Sequence, residues 1–339
     1  MILSNFKTEW IETDILSNRN FYMGIAMILI VLFHISSGYN LQPLKTIFSR
    51  GFYGVDIFLF FSALGLCFSY NKNSLRHFYL NRVKRIIPLF LLLALFRIGW
   101  QFWIGKYVSL WDVMVTITGL SYFKVFGGIW VDWYLCSLLI LYATFPFIYK
   151  YVMKMAWKGI IIISCISSIL CLTIPLYWEH ACIIGRLPVF CDGILFYFIA
   201  VRKEISMNKN LLIGLVLYGV CLFVIDIFIP NDRTRFLTPS FLLPIIIITI
   251  SCLHFKKINN WEYCVSFIGL HSLEIYIANC FTISICHKQG LNLAGLLGAF
   301  IEIIVIIVLS ITLYYVNRFI TVYAFKQKGY YCKDLNLLM

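Results

Sequence analysis

Residues 21–34 read FYMGIAMILIVLFH, an unbroken apolar run that ends on an imidazole. No charge or proline stands between Tyr22 and His34, and the polar Asn18, Arg19 and Asn20 precede the run. Continued to residue 38, the stretch is long enough for a membrane helix. At ~1.5 Å per residue, His34 then lies about 6 Å below the far surface.

The rest of the chain repeats this pattern. Of 339 residues, 61% are hydrophobic and only 13% charged, which excludes an ordinary soluble globular protein. The formal net charge of +13 is read as Lys and Arg holding cytoplasmic loops, because no basic patch with interleaved aromatics points to nucleic acid. Twelve cysteines form no CxxC and lie mostly in apolar runs, where a thiol acts as a small hydrophobe, so no metal site is expected. Cys182 and Cys191 flank a loop and are spaced so that they could pair. Glu9, Glu12 and Asp14 interrupt the N-terminus, so the first apolar run is expected to be retained rather than cleaved.

About ten spans are expected, near 21–38, 52–70, 86–104, 130–149, 159–178, 187–201, 211–229, 238–255, 263–283 and 294–316. Leu110 to Phe126 holds Asp112 and three Thr or Ser hydroxyls and reads as interfacial or re-entrant. With the N-terminus inside, nineteen Lys and Arg fall on the cytoplasmic side and eight on the other, so both termini are expected to be cytoplasmic. The fold class is all-α: one polytopic transmembrane bundle over residues 1–339, without a detectable repeat, a broken helix or a second domain.

Ionisable groups inside spans are functional hypotheses by default, and the set here is His34, Asp56, Arg97, Asp132, Asp192, Asp226, Glu274 and Glu302. His34 and Asp56 fall at equal depth on consecutive helices. A carboxylate against an imidazole fixes its tautomer and raises its basicity, giving a general base with its orienter. The same two residues read equally as a polar pair stitching helices together. The stretch from Asn71 to Arg85, NKNSLRHFYLNRVKR, is expected to be a cytoplasmic loop. It is either topogenic or a phosphate site in which Arg82 and Arg85, three residues apart, clamp a polyanion.

Several segments together resemble the integral-membrane acyltransferases of acyltransferase family 3, which includes bacterial O-acetyltransferases of cell-surface polysaccharides. Met23-Gly24-Ile25-Ala26 through His34 is similar to the family's first-helix signature. Gly54-Val55-Asp56-Ile57-Phe58 through Ser62 is similar to its second-helix motif, and Asn81-Arg82-Val83-Lys84-Arg85-Ile86-Ile87-Pro88 to its loop motif. Weaker echoes follow at Trp130 to Pro146, at Arg186-Leu187-Pro188-Val189-Phe190 and at Ser272-Leu273-Glu274-Ile275-Tyr276.

The resemblance implies a multi-pass enzyme of the bacterial cytoplasmic membrane that moves an acyl group, acetyl by expectation, from cytoplasmic acyl-CoA to a hydroxyl of an extracytoplasmic or lipid-linked glycan. His34 would be the base and Asp56 its neighbour, while Arg82 and Arg85 would serve the phosphates of acyl-CoA. Tyr53, Ser62, Trp133, Tyr134 and Glu274 are the substrate or oxyanion candidates. No metal is implied. The chain departs from the family pattern at Met23, where arginine is usual eleven residues before the histidine. Arg19, one turn earlier, is long enough to take its place. Ala63 replaces a glycine, and Asn279 stands where many members have histidine. Two other readings stay open: a transporter using His34, Asp56, Glu274 and Glu302 as a path, and a polysaccharide flippase or polymerase.

Overall fold

The computed structural model describes residues 12–129, 131–229, 231–255, 261–283 and 295–325, and among these there is no strand. The principal helices are α1 (Arg19–Gly38), α2 (Gly54–Lys72), α3 (Leu75–Trp103), α4 (Leu110–Ile117), α5 (Trp133–Thr173), α6 (Trp178–Ile184), α7 (Leu187–Phe196), α8 (Lys209–Phe228), α9 (Asp232–Phe255), α10 (Trp261–Leu270), α11 (Ser272–Thr282) and α12 (Gly295–Phe325). Among the described residues eight helices are long and apolar enough to cross a membrane. The number becomes nine when α10 and α11, bent by 74° at His271, are taken as one broken span. The chain is therefore a multi-pass membrane protein.

Two compact units share the chain. One holds residues 1–33, 48–73 and 143–270, the other 34–47, 74–142 and 271–339. In the first unit, helices meet backbone to backbone at Gly24, Gly54, Gly193 and Gly269, where glycine removes the side chain. A Cβ on Gly24 would collide with the Val265 carbonyl, and one on Gly269 with the Asn20 carbonyl, so α1 and α10 touch directly. Gly54 similarly seats α2 on the Ala26 carbonyl of α1, and Gly193 seats α7 on the Phe60 carbonyl of α2. Without a hydrophobic drive between helices in lipid, such close approach is what supplies van der Waals attraction. Gly24→Val is expected to lose about 1–3 kcal/mol of stability through overpacking. Gly65→Ala, with nothing within 4 Å of its Cβ, should be neutral or better. Thermal unfolding in detergent would separate them.

In the second unit α3 packs on α11 through Phe96 and Phe281, ring centroids 4.3 Å apart. Helix α12 joins α11 through Asn317 Nδ2 donating to Glu274 Oε1 at 3.1 Å. The 110–126 stretch is built of short turns. Its eight-residue α4 opens on a capping box in which Ser109 and Asp112 satisfy each other's backbone. The Ser109 hydrogen bonds hold the Asp112 carboxyl below the usual range. Trp111 Nε1 donates to the Phe126 carbonyl at 3.0 Å, and the Thr116 hydroxyl accepts from Ile129 N at 2.9 Å. At eight residues α4 is too short to span a bilayer.

Four expectations are corrected. Residues 75–85 are not loop: α3 starts at Leu75, because the Ser74 hydroxyl caps it by accepting from His77 N. Only Asn73 and Ser74 separate α2 from α3. The expected fourth and fifth spans both lie in α5 and are not among these four: α5 is two helices run together across a kink at Ala156, whose φ is 48° and ψ −132°. The sixth begins earlier, near Glu179, and closes in a π turn over Tyr197–Val201. Cys182 and Cys191 are both free and buried. The bend at His271 is a broken helix where none was expected.

Candidate active site

In the first unit, a three-residue 3₁₀ turn, Gly51–Tyr53, leads into α2 and leaves Asp56 in its first turn. Asp56 is 0% exposed. Its Oδ2 accepts from Nε of Arg186 at 3.2 Å, and Arg186, 1% exposed, also donates through Nη1 to the Cys182 carbonyl at 3.1 Å. The guanidinium lies over Phe52 at 5.8 Å and over Phe236 at 5.6 Å. Arg186 stands just before α7, which starts Leu187-Pro188; proline is suited there because no helical N–H is required. Gly185 lets the α9 backbone close in, since a Cβ there would stand 3.0 Å from the Phe236 carbonyl.

A buried ion pair of this kind adds little to stability, yet losing one partner strands a charge. Asp56 Oδ1 and the Tyr53 hydroxyl, both buried, have no hydrogen-bond partner among the described residues. The corner can therefore accept one hydrogen bond and donate another.

A second polar cluster lies in the second unit. The Asp132 carboxylate accepts from the Tyr276 hydroxyl at 3.1 and 3.0 Å and from Leu135 N at 2.9 Å, with Cys280 Sγ at 3.7 Å. The Arg97 charge acts on the same carboxylate. Tyr134 packs edge-on against Tyr276 at 5.1 Å and against Trp133 at 5.8 Å. Asn279, on the same helix as Tyr276 and 0% exposed, has neither amide atom partnered among the described residues.

Of the residues singled out from sequence, Asp56 and Tyr53 come together in the first unit, with Ser62 further along α2 and Arg19 opening α1. Met23 is buried. The second unit holds His34, half-buried in the last turns of α1, and Arg82 and Arg85 in the early turns of α3. Arg82 lies over Phe78 at 5.5 Å and Tyr142 at 6.0 Å, while Arg85 is exposed. Trp133 and Tyr134 join the Asp132 cluster; Glu274 turns instead to Asn317. Arg186 escapes a reading of the sequence because a cation between two apolar runs reads as a loop charge. Its signal was the weak Arg-Leu-Pro-Val-Phe echo. Among the described residues no three His, Cys, Asp or Glu side chains are placed to share a metal ion.

A family model described as an acyltransferase domain, of the acyltransferase 3 type, matches residues 24–316. The chain belongs to acyltransferase family 3. The match runs from α1 into α12, so an acyltransferase domain contains His34, Asp56, Arg82, Arg85, Arg186 and the Asp132 cluster, and Arg19 lies before it. This family 3 chain is thus a membrane acyltransferase. No curated protein and no solved structure matches it.

Proposed function

We propose that this protein is a transmembrane O-acyltransferase that passes an acetyl group from cytoplasmic acetyl-CoA to a hydroxyl of an extracytoplasmic or lipid-linked glycan, in a bacterial cytoplasmic membrane. The observation that carries the reading is the family match over residues 24–316, with a histidine in the outer turns of its first helix. His34 takes the acceptor hydroxyl's proton as that oxygen attacks the thioester carbonyl. The C–O bond forms, the C–S bond breaks, and the proton held on His34 passes to the departing thiolate. Asp56 is the proposed orienter of that base, and Tyr53, Ser62, Trp133 or Tyr134 the proposed source of the hydrogen bond to the tetrahedral oxyanion.

The proposed topology has ten crossings and both termini in the cytoplasm. Helix α5 would be roughly 60 Å long if unbroken, twice the hydrocarbon thickness, so its break at Ala156 supports two crossings. The α10–α11 pair counts as one. In this frame Arg82 and Arg85 lie at the cytoplasmic end of α3. The 18 residues from Arg85 to the helix end at Trp103 rise about 27 Å, the distance a pantetheine arm has to bridge.

The test is protein in neutral nanodiscs given acetyl-CoA and a glycan panel. Acceptor-dependent release of free thiol is expected, and no release with any acceptor counts against the reading. Arg82→Gln with Arg85→Gln is expected to weaken acetyl-CoA binding by about tenfold or more, since each charge-assisted hydrogen bond is worth ~1.5–3 kcal/mol. Unchanged affinity would return both arginines to a topogenic role. The broken α10–α11 pair is a feature that a transporter would share. Proton-coupled glycan uptake into vesicles without thiol release would favour that alternative.

A further inference from the structure

At the end of the first unit where α2 begins and α8 ends, a cavity of about 770 Å³ opens among Arg50, Asp226, Asn231, Arg233, Arg235 and Phe236. Its size falls within the ~300–1,000 Å³ range of small-ligand sites. It lies opposite the end marked by Lys72, Arg202 and Lys209, because α2 and α8 run from one end of the unit to the other.

The three guanidiniums are not equivalent. Arg50 is met by Asp226 at 2.6 Å. The hydrogen bonds of Arg233 and Arg235 go to carbonyl oxygens, those of Leu172 and Ser49, each at a long 3.4 Å. Of the side chains lining the cavity the one carboxylate is Asp226, which meets Arg50. The first turn of α9, a 24-residue helix, carries both of them to the cavity, and Asn231 Oδ1 accepts from Arg233 N there. The helix dipole adds positive potential at that end. Two forks of donors and a helix start, facing one cavity, are a receptor for an oxyanion.

The cavity also touches the candidate active site. Arg235 lies over Phe52 at 4.9 Å, and the other guanidinium near that ring is Arg186. Phe236 lines the cavity and packs against Arg186 as well. One layer of aromatic rings thus separates Arg235 from the Asp56–Arg186 pair.

We propose that this cavity anchors the acceptor, and that the acceptor is an anionic saccharide whose carboxylate or phosphate is held by Arg233 and Arg235. The proposal rests on the acyl-transfer reading for the word acceptor, but the binding it requires is independent of turnover. Ser49 and Asn231 offer hydrogen bonds and Phe236 a ring face, which suit a charged sugar; an acyl tail would have to desolvate them.

The experiment measures equilibrium binding to the full chain in phosphatidylcholine nanodiscs. The probes are hexagalacturonate, glucose 6-phosphate and maltohexaose, with no acyl-CoA present. One or both anionic probes are expected to bind at least about tenfold tighter than maltohexaose, with affinity falling as salt rises. Arg233→Gln and Arg235→Gln are each expected to cost about tenfold, and Arg235→Lys less. Carboxylate or phosphate is identified by which probe binds. Equal affinity for charged and neutral probes in the unmodified protein would overturn the proposal whether or not the variants fold. A parallel set of nanodiscs containing phosphatidylglycerol tests the lipid source: capture of that lipid that is lost in the same variants, with no binding of either saccharide anion, would also overturn the proposal, because the cavity would then be a lipid site. His34→Ala should bind the anionic probe normally. Loss of thiol release in that variant with intact binding supports acyl transfer, and intact binding without any transfer by the unmodified protein would overturn the acyl-transfer reading alone.

Discussion

Replacing His34 with alanine is expected to lower acceptor-dependent thiol release by about 10²–10⁴-fold, the usual contribution of a positioned general base. The effect should fall on kcat and leave acetyl-CoA affinity unchanged because, of the proposed donor cations, Arg82 and Arg85 lie on α3 and Arg19 stands at the opposite end of α1 from His34. His34 is half-buried in the last turns of its helix, so the variant should fold. Asp56→Asn should reproduce part of the loss if the carboxylate orients the imidazole. Turnover by His34→Ala equal to that of the unmodified protein would remove His34 from the mechanism.

The largest stability effect is expected at Arg186. Arg186→Leu leaves the fully buried Asp56 carboxylate without its cation and should cost about 3–5 kcal/mol. Asp56→Leu strands the guanidinium and should cost a similar amount. The double replacement should recover most of that loss, since apolar groups of similar volume need no desolvation. Thermal unfolding of all four proteins completes a double-mutant cycle, and a coupling near zero would show that the two groups do not depend on each other. If the double variant is stable but inactive, the pair serves the reaction and not only the fold.

Membrane helices were legible because their signal is length and apolarity, and α1 with its terminal His34 was read directly. What the sequence hid follows from the same physics. The basic run 75–85 reads as a loop because charge marks exposure, whereas Lys and Arg at the end of a long helix can keep their heads in water. The break at Ala156 carries no proline and cannot be told from ordinary helix by composition. Arg186 was visible as a cation but not as a buried one. Its place depends on Asp56, 130 residues earlier, and no local pattern encodes that distance. The Asp132 cluster joins α5 to α11 for the same reason beyond the reach of periodicity. Asp132 itself stood out as an ionisable group in an apolar setting.

The direct contact of Gly24 and Gly269 with the opposing backbones has a consequence in time. The seat for the beginning of α1 is not finished until α10 exists, about 250 residues later in the chain. At ~5–20 residues per second of synthesis, this leaves the first helix waiting roughly 12–50 s with one side bare in the bilayer. Any factor that shelters a nascent membrane segment would have that face as its target. Bulkier residues at Gly24 or Gly269 should then show up as first helices degraded before the chain is complete, in addition to the earlier melting of the protein that is finished.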